Sequence, residues 1–195
     1  MVSLKEAKLA LGLDDTQSDK DEFVSRLIND ISGLVEAYCD RQLKARDYTN
    51  EDYDGLGTEE LYLNHYPVNS VTSIYDDANR DFTSSSLVDS DDYVFYDEGR
   101  VVLIAVTTTL TSTGFTMGYK NIRVSYNAGY ATIPADLRMI VSEILIKKFK
   151  AYGDRTIGYT GISIGGQNIS MTLGDLLPEH KMILDAKYRR KDFGR

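Results

Sequence analysis

Apolar residues recur every three or four positions in three stretches of the chain, which is the spacing of one face of an α-helix. The pattern predicts helices at residues 3–12, 19–40 and 135–152. Ser3 and Glu6 stand three apart at the start of the first helix, as in a capping box. The apolar face of the longest helix is expected to build the core of a helical bundle through Phe23, Leu27, Ile31 and Leu34.

Between residues 58 and 130 the pattern changes to alternation of apolar and polar residues, which predicts an inserted antiparallel β region. Pro67 cannot donate a backbone hydrogen bond to a sheet. We therefore expect a corner at Pro67, between a strand that ends at Leu63 and a strand that begins at Val68. Residues 93–104 predict a β-hairpin in the same region.

Two polar stretches predict loops. Residues 48–60 are acidic and contain glycine, which favours a loop that leads into the strand near Leu61. Residues 105–118 are rich in Thr, Ser and Gly, which favours a long loop.

Two further elements are expected after residue 153. Residues 162–171 indicate a small hairpin, and Pro178 occupies the first-turn position of a last helix. The predicted fold is therefore α+β: N-terminal and central amphipathic helices form a bundle with an inserted antiparallel β region, and a C-terminal hairpin and helix follow. We expect residues 1–153 to form one core and residues 154–195 to form a separate C-terminal segment.

The net charge is −8 with a pI near 4.8, which argues against a surface that binds nucleic acid as a whole. The charge is uneven along the chain. Residues 181–195 contain six basic and two acidic residues, which gives +4 for this tail and −12 for the remainder.

A single cysteine, Cys39, excludes an intrachain disulfide and a cysteine-based metal cluster. It lies in a helical pattern, where a free cysteine is usually a small buried apolar residue. The sequence has neither an apolar signal core nor a run of about 18 apolar residues that could span a membrane. We expect a soluble protein with no membrane partner.

One motif resembles a catalytic site. Gly161-Ile-Ser-Ile-Gly165 matches the G-x-S-x-G pattern of a hydrolase nucleophile, and Asp175 and His180 follow in the order of a triad. The pattern requires a turn from a strand into a helix, whereas here a hairpin is predicted. An esterase that uses Ser163 is therefore the weakest of three hypotheses, and we expect no catalytic residues.

Metal and cofactor sites are also not expected. Asn50, Asp52, Asp54 and Gly55 imitate the start of a calcium-binding loop, but Leu61 stands where the bidentate glutamate belongs. Only two histidines, His65 and His180, are available, and they lie on distant segments.

The aromatic composition favours an interaction protein. The chain has 14 tyrosines and no tryptophan, and tyrosine combines a large apolar ring with a polar tip that suits contact surfaces. The second hypothesis is accordingly a β-rich module that binds carbohydrate or another surface without catalysis. Its exposed aromatic cleft would be formed by Tyr93, Tyr96, Tyr119 and Tyr126.

The order of several motifs carries a more specific indication. Cys39-Asp-Arg-Gln-Leu43 ends the long helix, Tyr66-Pro-Val-Asn-Ser-Val-Thr-Ser-Ile74 forms the corner, and Val124-Ser-Tyr-Asn-Ala-Gly-Tyr130 precedes Ile133-Pro-Ala-Asp-Leu137. In this order the chain resembles the head–tail connector (adaptor) proteins of long-tailed bacteriophages. The resemblance spans nearly the whole sequence.

The resemblance implies a structural virion protein that is not an enzyme and needs no cofactor. Its copies would form a twelve-fold ring under the portal protein, extend the DNA channel and offer a surface to a stopper or tail-completion protein. It would be assembled in the host cytoplasm and lie at the head–tail interface of the virion. The C-terminal segment would dock on the portal through Lys187, Tyr188, Arg189, Arg190 and Lys191.

The charge distribution is compatible with a DNA conduit. Cationic side chains that neutralise phosphates release counterions and so bind DNA strongly. An acidic body would instead let double-stranded DNA pass without specific binding, and the basic tail could complement the charge of a protein partner.

Overall fold

A computed structural model describes residues 1–16, 18–104, 114–153, 161–164, 167–170 and 176–190. Helices and antiparallel strands together give the α+β fold that the sequence predicts. The chain divides into two compact units. We call the described residues of 1–41 and 133–190 the helical unit, and the described residues of 42–132 the β unit.

The described helices of the helical unit are α1 (Leu4–Leu11), α2 (Asp21–Cys39), α3 (Ala135–Gly153) and α4 (Pro178–Lys187). Helices α1, α2 and α3 pack against one another, and the bounds of each lie within two residues of the predicted bounds. The Ser3 hydroxyl accepts a hydrogen bond from the Glu6 amide, and the Glu6 carboxylate accepts one from the Ser3 amide. This confirms the predicted capping box.

The buried side of α2 differs from the predicted face. Ile31 is fully buried as expected, but Phe23, Leu27 and Leu34 are only half-buried. Phe23 instead packs its ring against Tyr152 at the edge of the unit, with ring centroids 4.3 Å apart. The apolar stripe is broad, so spacing alone did not identify its centre. The fully or largely buried residues of α2 are Val24, Ile28, Ile31, Val35 and Cys39.

The described residues of the β unit form two three-stranded antiparallel sheets. Its strands are β1 (Arg46–Gly55), β2 (Glu60–Tyr62), β3 (Val68–Asp76), β4 (Tyr93–Phe95), β5 (Arg100–Leu103) and β6 (Gly118–Ala128). One sheet has the order β1-β6-β3, and the other has the order β2-β5-β4. The predicted hairpin of residues 93–104 is confirmed as β4 and β5.

The predicted loop at residues 48–60 is wrong over most of its length, because β1 occupies Arg46–Gly55. The strand pairs with β6 from end to end. Asp47, Asp52 and Asp54 lie on the polar outer face, where Asp52 binds Arg123 at 2.7 Å, while Tyr53 and the half-buried Glu51 lie on the other face. Because this segment contains many carboxylates, its sequence does not show the alternation of apolar and polar residues that indicates a strand.

The inner faces of both sheets share one hydrophobic core, which includes Leu61, Ile74, Val101, Val124 and Tyr126. The corner between β2 and β3 lies where it was predicted, and its Tyr66–Pro67 peptide bond is cis. After α3, a backbone hairpin of β7 (Gly161–Ile164) and β8 (Gln167–Ser170) confirms the prediction for residues 162–171.

The chain enters and leaves the β unit side by side. The Tyr130 amide donates to the Leu43 carbonyl at 2.7 Å, and the Ala45 amide donates to the Tyr130 carbonyl at 3.1 Å. Gly129 makes this approach possible. Its φ is +109°, and a Cβ at this position would lie 2.7 Å from backbone atoms of Lys44 and Ala45.

A partly buried carboxylate organises the corner. Glu51 accepts hydrogen bonds from the hydroxyls of Tyr126 and Tyr53 and from the Asn64 side chain. The Asn64 amide in turn donates to the Tyr53 hydroxyl at 3.1 Å. Burial raises the pKa of Glu51, but the hydrogen bonds from Tyr126, Tyr53 and Asn64 outweigh it and lower the pKa below its ordinary value.

The substitution Gly129→Ala should lower the free energy of unfolding by roughly 1–3 kcal/mol, because alanine is strained at this φ and collides with the entering strand. Urea unfolding of the full chain measures the change. Gly33→Ala is the matched control, since a Cβ there meets nothing within 4 Å. An equally small change in both variants would contradict the close approach.

Tyr126→Phe should destabilise the chain by about 1–3 kcal/mol at neutral pH, because Glu51 loses one of its donors. A carboxylate with a lowered folded pKa stabilises the fold fully above its unfolded pKa, and that contribution is lost as the pH falls through the folded value. The difference between wild type and variant should therefore shrink below the ordinary glutamate pKa of 4.5. Urea titrations across this range measure it, and a constant difference would refute the role of Glu51.

Candidate docking surfaces

The predicted docking residues lie at the C-terminal end of α4, except that Lys191 is outside the described residues. Tyr188 is 5% exposed, and its hydroxyl donates a hydrogen bond to Asp136 at the start of α3. Lys187 Nζ donates to the same carboxylate at 2.9 Å. Two of the predicted residues therefore hold α4 against α3.

The same end of α4 is fixed to the end of α2. Asp185 accepts hydrogen bonds from Tyr38 at 2.9 Å and from Arg189 at 3.3 Å. The Arg190 amide donates to the Cys39 carbonyl at 2.8 Å. The basic end of α4 is thus held on a fixed support.

The other end of α4 is held by a buried histidine. His180 is 2% exposed; its Nδ1 accepts from the Leu177 amide at 3.4 Å, and its Nε2 bonds to Glu143 at 2.8 Å. The amide contact requires an unprotonated Nδ1, so the proton lies on Nε2 and is donated to Glu143. His180, the base of the weakest hypothesis, therefore serves to attach α4 to α3.

These contacts divide the predicted docking residues into two kinds. Tyr188 is buried, and its hydroxyl is hydrogen-bonded to Asp136. The side chains of Lys187 and Arg189, in contrast, are 62% and 61% exposed beside their carboxylate partners. Arg190 is also exposed. Partial burial raises the pKa of Asp136, but hydrogen bonds from Tyr188, Lys187 and Leu137 outweigh it and lower the pKa. A docking role for the exposed cations stays a prediction.

The residues of the candidate catalytic and cation-binding motifs belong to strands or bind other residues of the protein. Ser163 lies within strand β7, which continues into the β8 hairpin and not into a helix. In the calcium-like motif, Asp52 binds Arg123 and Asp54 accepts from the Lys120 amide at 2.8 Å. Burial raises the pKa of the Cys39 thiol to about 11, so the thiol is protonated at neutral pH.

The four tyrosines of the carbohydrate-binding hypothesis do not share a cleft. Tyr126 is 1% exposed in the core and Tyr93 is half-buried. Tyr119 lines an open cleft of about 400 Å³ on the β unit. The remaining lining residues are Asp52, Asp54, Arg80, Phe82, Lys120 and Arg123.

Sequence reasoning missed a group of exposed apolar side chains at one end of the β unit. Leu56, Met117 and Tyr119 are 70%, 77% and 79% exposed. We call these three residues the apolar tip. They lie next to Gly55, Gly57 and Gly118, and these glycines were the available sequence signal for a tight loop pair that presents large side chains.

Over the part of the chain that the structure describes, none of the helices has the length and apolar character needed to cross a lipid bilayer.

Comparison with known proteins gives one family and a set of similar folds. A family model described as head completion protein matches residues 1–191. No curated protein sequence matches the chain. A chain in the virion of a native gene transfer agent (GTA) particle is 18% identical with a TM-score of 0.54, over 100% of this chain and 92% of that chain.

Two neck structures show the same likeness. The match to the neck of an empty GTA particle, computed with C6 symmetry, has 18% identity and a TM-score of 0.54, over 100% of this chain and 92% of that chain. The match to the neck of a native GTA particle, computed with C12 symmetry, has 16% identity and a TM-score of 0.52, over 100% and 96%. At these identities the likeness establishes a shared fold.

Tyr188→Phe should loosen α4, because removal of the hydroxyl leaves Asp136 with one donor fewer. Loss of a hydrogen bond to a charged group costs about 1.5–3 kcal/mol. We expect at least roughly tenfold faster hydrogen exchange in α4, measured by mass spectrometry, if the helix opens locally. Tyr119→Phe is the control, since Tyr119 is 79% exposed. Unchanged exchange in Tyr188→Phe would show that the hydroxyl does not hold the helix.

Proposed function

The chain belongs to the head completion protein family, and on that premise we propose that its copies form a ring between the portal of a viral head and the tail. The ring extends the DNA channel of the portal and offers a surface to a stopper or tail-completion protein. The protein acts by assembly and makes or breaks no covalent bond. The proposal places it in the virion, at the interface of head and tail.

The observation that carries this proposal is the family match along residues 1–191 of 195. The fold shared with chains of GTA particle necks, whose structures were computed with C6 and C12 symmetry, supports a symmetric arrangement of copies. A twelve-fold ring under the portal is the arrangement that we propose.

The helical unit suits the attachment to the portal. Lys187 and Arg189 are exposed cations on a helix end that Asp136, Asp185 and the end of α2 hold in place. Cations that are fixed before binding lose little conformational freedom when a partner docks. We propose that this basic end contacts an acidic surface of the portal.

The acidic body suits passage of DNA. Residues 1–180 carry a net charge of −12, and the basic tail of residues 181–195 contributes +4 to give the total of −8. A channel wall with few free cations releases few counterions from DNA and so does not retain it. The double-stranded genome then passes through the ring without specific binding.

Mixing the chain with the portal protein encoded beside it tests the proposal. We expect electron microscopy to show added density under the portal with the portal's symmetry. The double variant Lys187→Gln and Arg189→Gln should weaken binding several-fold, because two attractive charge contacts are lost while the amide side chains can still donate hydrogen bonds to Asp136 and Asp185. Arg26→Gln is the matched control, since Arg26 is also an exposed arginine that pairs with a carboxylate four residues away.

Two results would contradict the proposal. Portal particles that carry no added density would remove the ring. A mobility shift of duplex DNA at low salt and at nanomolar concentrations of the assembled ring would contradict a channel that does not hold DNA.

A further inference from the structure

The open cleft of about 400 Å³ lies on the outer face of the β1-β6-β3 sheet. Its floor is formed by Asp52 of β1 and its cross-strand partner Arg123 of β6. Arg123 donates to both carboxylate oxygens of Asp52, at 2.7 and 3.2 Å, and stacks on Phe82, 3.8 Å from the ring centroid. These three side chains hold one another, so they shape the cleft and leave contact with a ligand to its rim.

The rim consists of Asp54, Arg80, Tyr119 and Lys120. Asp54 accepts a hydrogen bond from the Lys120 amide at 2.8 Å, and Arg80 donates to the Tyr119 carbonyl at 3.3 Å. These contacts fix the backbone of the rim. The side chains of the rim face solvent, and Tyr119 is 79% exposed.

Backbone strain is concentrated around this cleft. Five non-glycine residues in the described parts of the chain have a positive φ, and three of them line the cleft: Arg80 at +65°, Phe82 at +49° and Lys120 at +50°. Arginine, phenylalanine and lysine rarely adopt this conformation. Strained backbone of this kind persists where the surrounding structure fixes a functional arrangement. The fold thus accepts strain to place an aromatic ring and two cations around one cleft.

The charges around the cleft are balanced. Three cations and four carboxylates line or border it, namely Arg80, Lys120 and Arg123, and Asp52, Asp54, Asp77 and Asp81. The two signs nearly cancel, so the cleft attracts neither a polyanion such as DNA nor a polycation. Its chemistry suits a ligand that is polar and uncharged.

The position of the cleft disfavours a peptide strand as the ligand. The central strand β6 is paired with β1 on one side and with β3 on the other. A peptide that extends a sheet needs an edge with unpaired backbone groups. The cleft instead opens over the face of the sheet, where side chains stand away from the strands and supply the contacts.

We propose that this cleft binds a neutral oligosaccharide. Each hydroxyl of a sugar both donates and accepts hydrogen bonds, so it can pair with the cationic donors and the carboxylate acceptors that lie side by side here. The C–H face of a sugar ring packs on an exposed aromatic ring, which Tyr119 supplies. Sugar binding is a second activity of the β unit and does not depend on the proposed ring.

The binding should be weak, with a Kd on the order of 1 mM, because an open cleft buries only part of its ligand. Saturation-transfer difference NMR detects such affinities and is applied here to the free, full-length chain. The probes are four neutral oligosaccharides: maltohexaose, mannohexaose, xylohexaose and chitotetraose. We expect saturation transfer to at least one of them.

Substitutions at Tyr119 test the stacking contact. Tyr119→Ala should reduce the signal at least about fivefold, whereas Tyr119→Phe keeps the ring and should retain most of it. Because Tyr119 is 79% exposed, both variants should fold, which circular dichroism checks. Tyr96→Ala is the matched control, since Tyr96 is 41% exposed and follows strand β4 of the other sheet. It should leave the signal unchanged.

The polar contacts are tested by Arg80→Gln with Lys120→Gln, which should reduce the signal several-fold because both charged donors are replaced. Absence of saturation transfer to all four sugars, or an unchanged signal in Tyr119→Ala, overturns the proposal. Saturation transfer to a hexaglutamate peptide in place of the sugars would assign the cleft to an acidic protein segment and would also overturn it. The free chain is used throughout, so a failure to bind the portal does not affect the result.

Discussion

The pairing of residues 43–45 with residues 129–130 is the constraint on which the rest of the architecture depends. It brings the two ends of the β unit together, so that a chain of about 90 residues can be inserted between helices without separating them. Gly129 permits the approach because its positive φ and missing side chain leave room for the entering strand. The helical unit and the β unit can then each bury their own core.

Polar groups fix the parts of the structure that the apolar cores leave undetermined. Glu51 gathers two tyrosines and Asn64 around the corner that precedes Pro67. Asp136 and Glu143, both on α3, hold the two ends of α4. Asn121 binds the loops of the apolar tip. In each place a buried or half-buried side chain is satisfied by specific hydrogen-bond partners, which favours one conformation over alternatives.

The sequence predicted the elements whose pattern is local. Helical spacing located α1, α2 and α3, and the missing amide of Pro67 located a corner between strands. It did not predict β1, because its carboxylates are compatible with solvent exposure whether the segment is a loop or a strand. It also did not predict that Tyr188 is buried, since its partner Asp136 lies 52 residues earlier. The apolar tip depends on contacts between loops that are distant in sequence.

We infer that the protein works through its surfaces and not through a catalytic site. Under the proposed function, the exposed basic helix end contacts a portal and the acidic body lets DNA pass. The most direct test is deletion of the gene from a virus that encodes this chain, followed by electron microscopy of the particles. The account predicts separate heads and tails that are joined again when the protein is supplied. Joined, infectious particles in the absence of the protein would contradict it.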